Sequence, residues 1–257
     1  MIWALLLLLG VVAAIHWVDY SRAVEEYTFA QPGGVADVCP SLLNDKTPVV
    51  VEVGALPWRP DVAGVATWPV EVEGGMEMPV SAWVAIEARE RPDIVNGATV
   101  AREMGLDTGL AELDGARPFW WLPGFQAMEV GVLNGAEKLG LSWVTAERRW
   151  VGCTAGAPLV LWLVHSRYRR FLPEETGVDP WELTVASAPW IGRVQFVEVR
   201  VRPGWCVGLP AHWGYAVRSE ADTDKDAGAS WWFSAEQQSP LSLALSQFRE
   251  QPKSSGN

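Results

Sequence analysis

Cysteine, histidine and positive charge are all scarce in this chain. Its 257 residues include three cysteines, three histidines, and 20 Lys and Arg against 31 Asp and Glu, for a formal net charge of -11. Cys39, Cys153 and Cys206 are too few and too scattered for a disulfide framework or a zinc site with paired ligands, so they read as buried free thiols. The acidic balance argues against nucleic acid or anionic lipid as a partner, because both select positive surfaces. No Asn-x-Ser/Thr sequon marks the chain as extracellular. The sequence also lacks a Gly-x-Ser-x-Gly elbow, a phosphate-cradling glycine loop before a helix, a His-Glu-x-x-His pair and any repeat of fixed period. Glu174 and Glu175 stand side by side, as on a solvated face, rather than as an acid/base pair.

Apolar and aromatic residues are plentiful. Hydrophobic residues make up 49% of the chain, enough for a packed core, and tryptophan occurs 16 times. Tryptophans at that density fill a large aromatic core, or else stack a ligand. The run Ile2–Val18 carries no charged side chain and has His16 as its one strongly polar residue. It sits at the short end of the roughly 17 to 25 residues that span a bilayer, with Trp3 and Trp17 near its ends as interfacial residues would be. Residues 1–18 are therefore expected to be a single-pass transmembrane anchor. A cleaved signal peptide, with a small-residue site around Val11 and Ala13 but no basic leader, and a buried core helix are the rival readings. The side of the membrane stays open, since Arg22 is nearly the only base nearby.

Residues 19–36 are polar, end in Gln31-Pro32-Gly33-Gly34, and read as a juxtamembrane linker. One domain is expected over 37–250, followed by a flexible tail at 251–257. A short helix around Leu42 leads to a β-branched strand at Val49–Val53, and mixed apolar spacing predicts helices at 81–90 and 98–115. Beyond Phe125 the pattern becomes short β runs. Leu159–Val164 is continuously apolar, while Val197–Arg202 alternates apolar and charged residues, as a half-buried strand does. Strands are also expected at Trp205–Leu209, Trp213–Ser219 and Ser230–Ala235, with 220–228 as an exposed hairpin loop. Ser239-Pro240 then opens a C-terminal helix.

The segment Val201–Val217, with Pro203-Gly204 and Pro210-Ala211-His212-Trp213-Gly214-Tyr215-Ala216-Val217, resembles the late strands of JmjC-type, cupin-like oxygenases. Leu161–Pro173, ending Arg167-Tyr168-Arg169-Arg170-Phe171-Leu172-Pro173, is similar to that family's strand running into Gly-x-Lys-Arg-x-x-Leu-x-Pro. Thr47-Pro48-Val49-Val50-Val51 resembles its opening strand, and the three segments occur in family order. The resemblance implies a mainly β fold, a double-stranded β-helix of the cupin or jelly-roll type with flanking helices, preceded by the transmembrane helix.

Active members of that family hold iron(II) with a His-x-Asp pair and a distant His, leaving sites for oxygen and 2-oxoglutarate. Mapped onto this chain, those positions are Gly152, Thr154 and Tyr215, so all three ligands are changed. Strand parity places Tyr215 with Trp213 and Val217 and turns His212 away, while His165 falls at a turn facing solvent or the loop. Arg167 occupies the place of the family's 2-oxoglutarate lysine, and Arg167, Trp213 and Trp150 form the candidate ligand pocket. The resemblance, with its ligands changed, implies a catalytically inactive, membrane-tethered domain acting in binding or assembly, with no cofactor, in the manner of membrane-anchored virion proteins of large DNA viruses. Two alternatives stand beside it: an iron(II)/2-oxoglutarate hydroxylase with unusual ligands, and a module holding a sugar or other small ligand at a Trp-lined mouth.

Overall fold

The computed structural model describes residues 2–21, 28–54, 67–72, 74–86, 92, 94–103, 105–133, 137–173, 177–220 and 229–250. The 251–257 tail and most of the expected 220–228 loop lie outside these residues, as do Glu174 and Glu175. The chain is mainly β with antiparallel sheets. Strands β1 (Val49–Glu52), β4 (Ala127–Leu133), β6 (Arg148–Ala155), β9 (Trp205–Pro210) and β11 (Ser230–Gln237) form one sheet in the order β1-β9-β6-β11-β4. A second sheet runs β5-β10-β7-β8, from β5 (Lys138–Trp143), β10 (Gly214–Ser219), β7 (Leu159–Val164) and β8 (Phe196–Val201). A separate hairpin joins β2 (Pro69–Val72) and β3 (Met76–Pro79).

Three apolar layers follow from strand alternation, since successive side chains point to opposite faces. Between the two large sheets lie Val151, Cys153, Val207 and Leu209 from one and Leu161, Leu163, Tyr215 and Val217 from the other. On the far face of the five-stranded sheet, Trp150, Cys206 and Phe233 pack under Leu43, Leu106, Leu110 and Leu113. Leu43, Leu106 and Leu113 come from α2 (Pro40–Asn44), α5 (Leu106–Gly109) and α6 (Ala111–Gly115), and Leu110 lies at the junction of α5 and α6. The far face of the four-stranded sheet buries Leu141 and Val164 with Leu172, against Tyr168, Leu183, Ile191 and Val194. Each fully buried leucine contributes about 1.5 to 3 kcal/mol.

The first expected helix, over 81–90, is reduced to α3 (Val80–Val84), with residues 87–90 outside those described. In place of one helix over 98–115 there are three: α4 (Gly97–Glu103), α5 and α6. Gly105, at φ 75, takes the left-handed conformation that ends a helix and restarts the chain in a new direction. The C-terminal helix α7 (Pro240–Glu250) starts where Ser239 and Pro240 predict it.

The transmembrane expectation is corrected. Among the described residues, no helix is long and apolar enough to cross a membrane. Residues Ile2–Ser21 do form a helix, α1, but its uninterrupted apolar run stops at His16. At 1.5 Å per residue, Ile2–Ile15 covers about 21 Å, short of the roughly 30 Å of a hydrocarbon core. The last turn is fixed to the domain. Tyr20 is buried, its hydroxyl donates to the Thr145 carbonyl at 2.6 Å, and its own carbonyl meets His212 Nε2 at 3.0 Å. What remains of the expected fold is the coarser statement of a mainly β chain with antiparallel sheets. The linker reading also changes. Ala30 pairs with Val49 as a parallel bridge, and Phe29 packs edge-on to Trp213, so 28–30 belong to the domain.

Candidate functional site

Strand β6 carries two consecutive arginines, Arg148 and Arg149, that leave the strand on opposite sides. Arg148 is fully buried under the helical layer, donating to the carbonyls of Leu43 at 2.6 Å and of Thr47 and Gly208 at 3.1 Å. Burial without a carboxylate in contact pushes its guanidinium down to about 9. Arg149 points the other way, into the space between the sheets.

There it meets Tyr215 from β10 and Glu236 from β11. The Arg149 Nε donates to Glu236 Oε1 at 2.7 Å, and its terminal nitrogens donate to Glu236 and to the Tyr215 hydroxyl. Gln238 Nε2 holds the other oxygen of Glu236 at 3.0 Å. Tyr215 and Glu236 are both buried. Desolvation pushes the phenol of Tyr215 above its ordinary range, and the Arg149 cation only partly opposes that. Burial disfavours the charge on Arg149, but Tyr215 and Glu236 outweigh that cost and hold the guanidinium above its usual value. The cluster is a hydrogen-bonded network that links strands of both sheets.

The positions expected to be degenerate metal ligands do not converge. Gly152 faces the helical layer, where a Cβ would press into Phe233 and lie 2.8 Å from Cys206 Cβ. Thr154 donates its hydroxyl to the Trp231 carbonyl at 3.3 Å. Tyr215 is on the other side of the five-stranded sheet, between the sheets, with Ser142 opposite it on β5. Gly152 and Thr154 are therefore not a pair aimed at Tyr215. A family spacing assigns positions along the chain, whereas the pleat decides which face of the sheet each side chain takes. Iron does not fit these residues: one has no side chain, another gives its hydroxyl to the backbone, and the third is hydrogen-bonded to a cation. Among the described residues no group of three His, Cys, Asp or Glu could hold a metal.

The three residues of the expected ligand pocket also separate. Trp150 is buried in the helical layer, with its indole donating to Gln237 Oε1 at 2.8 Å. Trp213 is buried between the sheets, and Arg167 is exposed on the 3-10 turn Ser166–Phe171. His165 joins the last two. It is buried rather than solvent-facing, its Nδ1 accepts from the Arg167 backbone N–H at 3.1 Å, and its ring lies edge-on to Trp213 at 5.2 Å. The buried-thiol expectation holds for Cys153 and Cys206 but not for Cys39, which is exposed. Tryptophan is divided between core and surface: Trp83, Trp121, Trp150 and Trp213 are buried, whereas Trp3, Trp17 and Trp190 are exposed.

Residue-type counting could not find the Arg149–Tyr215–Glu236 cluster, because its members are spread over three strands. The signal that points to it is local: charged residues at inward positions of strands that are otherwise apolar on that face. No family model matches the chain, and no curated protein matches it.

Proposed function

We propose that the chain is a non-catalytic relative of the JmjC-type oxygenases, a binding or assembly module attached to a lipid surface by α1 without crossing it. One observation carries the non-catalytic reading. The side chain in the place of the family's distant metal ligand, Tyr215, is hydrogen-bonded to Arg149, which is itself ion-paired with Glu236. A guanidinium there repels a metal ion and occupies the lone pairs a ligand would offer. Attachment is supported by α1, which leaves Ile2, Trp3, Leu6, Leu7, Val11, Val12, Ile15, Trp17 and Val18 exposed. An apolar surface of that extent calls for an apolar phase.

The deciding experiment is metal analysis of the chain after anaerobic loading with iron(II), together with 2-oxoglutarate turnover. The expected result is no stoichiometric iron and no turnover. Stoichiometric iron, with turnover lost in Tyr215→Phe, would overturn the reading in favour of the hydroxylase. A second reading, a small-ligand module, is favoured by a cavity of about 700 Å³ beside β4, where Trp83, Trp232 and Glu129 share the lining.

A further inference from the structure

The outer face of the four-stranded sheet carries a second cavity, of about 790 Å³, lined by Trp143, Ser166, Arg167, Arg169, Arg170 and Leu172 together with Pro173. In a chain of net charge -11, three arginines share this one groove, and among the described residues no carboxylate lines it. Their placement follows from the backbone. The turn Ser166–Phe171 is a 3-10 helix, in which residues three apart eclipse, so Arg167 and Arg170 leave it on the same side. Arg169 reaches the other wall, its guanidinium 5.1 Å from the centre of the Trp143 ring. Arg167 and Arg170 likewise lie over Tyr168 and Phe171, at 4.8 and 4.7 Å. Stacking uses the face of a guanidinium and leaves its donors in the edge, the geometry that suits a phosphate; one terminal nitrogen of Arg167 donates to the Tyr168 hydroxyl at 3.0 Å.

The groove also lies at the foot of α1. Trp143 lines it, and Thr145, two residues on, accepts the hydroxyl of Tyr20 at the end of α1. That separation is at most roughly 7 Å of extended chain. The other wall connects in the same direction: Arg167 is held by His165, His165 packs on Trp213, and the adjoining His212 packs edge-on to Tyr20 at 4.8 Å. An apolar helix with exposed Trp17 and Val18 near its base thus stands beside a basic, aromatic-walled groove.

We propose that this groove binds the phosphate of an anionic lipid headgroup, so that the domain reads lipid charge next to the point where α1 enters the apolar phase. The lipid source rests on the reading that α1 meets a lipid surface. It also revises the expectation from net charge, because the field that a headgroup meets is local. Screening confines it to about 10 Å at 0.1 M salt, and among the described residues the charged side chains that line the groove are all arginines.

The test is flotation of the full chain with vesicles of phosphatidylcholine, with and without added phosphatidic acid. The Arg167→Gln/Arg169→Gln/Arg170→Gln variant is run beside it, with Arg218→Gln as a control for charge alone. Near a membrane each arginine is worth about fivefold, so the expected preference for acidic vesicles is on the order of a hundredfold. It should vanish in the triple variant and survive in Arg218→Gln. Equal binding to both vesicles overturns the groove and leaves the role of α1 standing. Acidic vesicles bound through the arginines with no binding to neutral ones supports the groove and removes the attachment by α1. Binding to neither overturns both. Competition by inorganic phosphate as strong as by glycerol 3-phosphate, with no vesicle preference, assigns the groove to soluble phosphate and overturns the lipid.

Discussion

Arg149 and Tyr215 come from different sheets, and the hydrogen bond between them ties the two sheets together. Glu236, from a strand adjacent to that of Arg149, balances the charge. Most of the space around them is aliphatic, so each member depends on the others for its polar partners.

The members should therefore differ in cost when removed. Tyr215→Phe keeps the ring and deletes one bond to a charged group, which should destabilise by about 1.5 to 3 kcal/mol. Arg149→Ala leaves Glu236 buried without its partner, and about 3 to 5 kcal/mol is expected. Urea unfolding of both variants checks the order; equal losses would mean that the cluster is not a network.

Trp213 is only 2% exposed and packs between the sheets against Phe29 and His165. Trp213→Ala should cost about 3 to 5 kcal/mol. An unchanged denaturation midpoint would place the ring outside the core.

Restoring the family's ligands at the mapped positions should not build an iron site. Gly152→His drives a ring into Phe233 and Cys206, and the new imidazole would face the helical layer while Tyr215→His faces the inter-sheet space. The expected outcome for Gly152→His/Thr154→Asp/Tyr215→His is loss of cooperative unfolding and no bound iron. A folded triple variant holding one iron would refute this strand parity.

The thiols give a pH prediction. Cys39 is exposed and the Ser41 hydroxyl lowers its pKa, whereas burial pushes Cys153 up to about 12 and Cys206 higher still. At pH 8 one equivalent of a thiol reagent should react in the native chain and three after denaturation. For stability the sign is set by raised folded-state values. Below about pH 9 both states keep Cys153 protonated and its contribution is fully present. Between about 9 and 12 the unfolded thiol ionises while the folded one does not, so stability falls with rising pH, and Cys153→Ala should flatten that slope.

Strands in the second half were readable from the sequence either as continuously apolar runs, such as Leu159–Val164, which is buried on both faces, or as alternating ones. Val197–Arg202 alternates, and its apolar members Val199 and Val201 do pack between the sheets. The 98–115 stretch misleads because apolar spacing says nothing of Gly105, whose left-handed backbone splits it into separate helices. The Ile2–Val18 run looks like a span because hydropathy counts residues and not partners; Tyr20, just beyond it, is fixed to Thr145 and His212 by contacts about 125 and 190 positions away. The candidate site was the least legible part. Gly152 and Tyr215 are separated by a sheet, and Arg149 reads as a surface charge beside Arg148 until the strands are assembled.

The two arginines of β6 also fix how that strand can pair. Sliding β6 by one residue against β9 and β11 would exchange their faces, sending Arg148 toward Leu161 and Val217 and Arg149 toward Leu43 and Leu113. Each would lose its acceptors and remain charged in an apolar layer, at several kcal/mol apiece. An aliphatic pair at these positions would tolerate the slip. Adjacent arginines on opposite faces make the misaligned sheet too unfavourable to form, so the strand that joins the helical layer to the inter-sheet core has one alignment open to it.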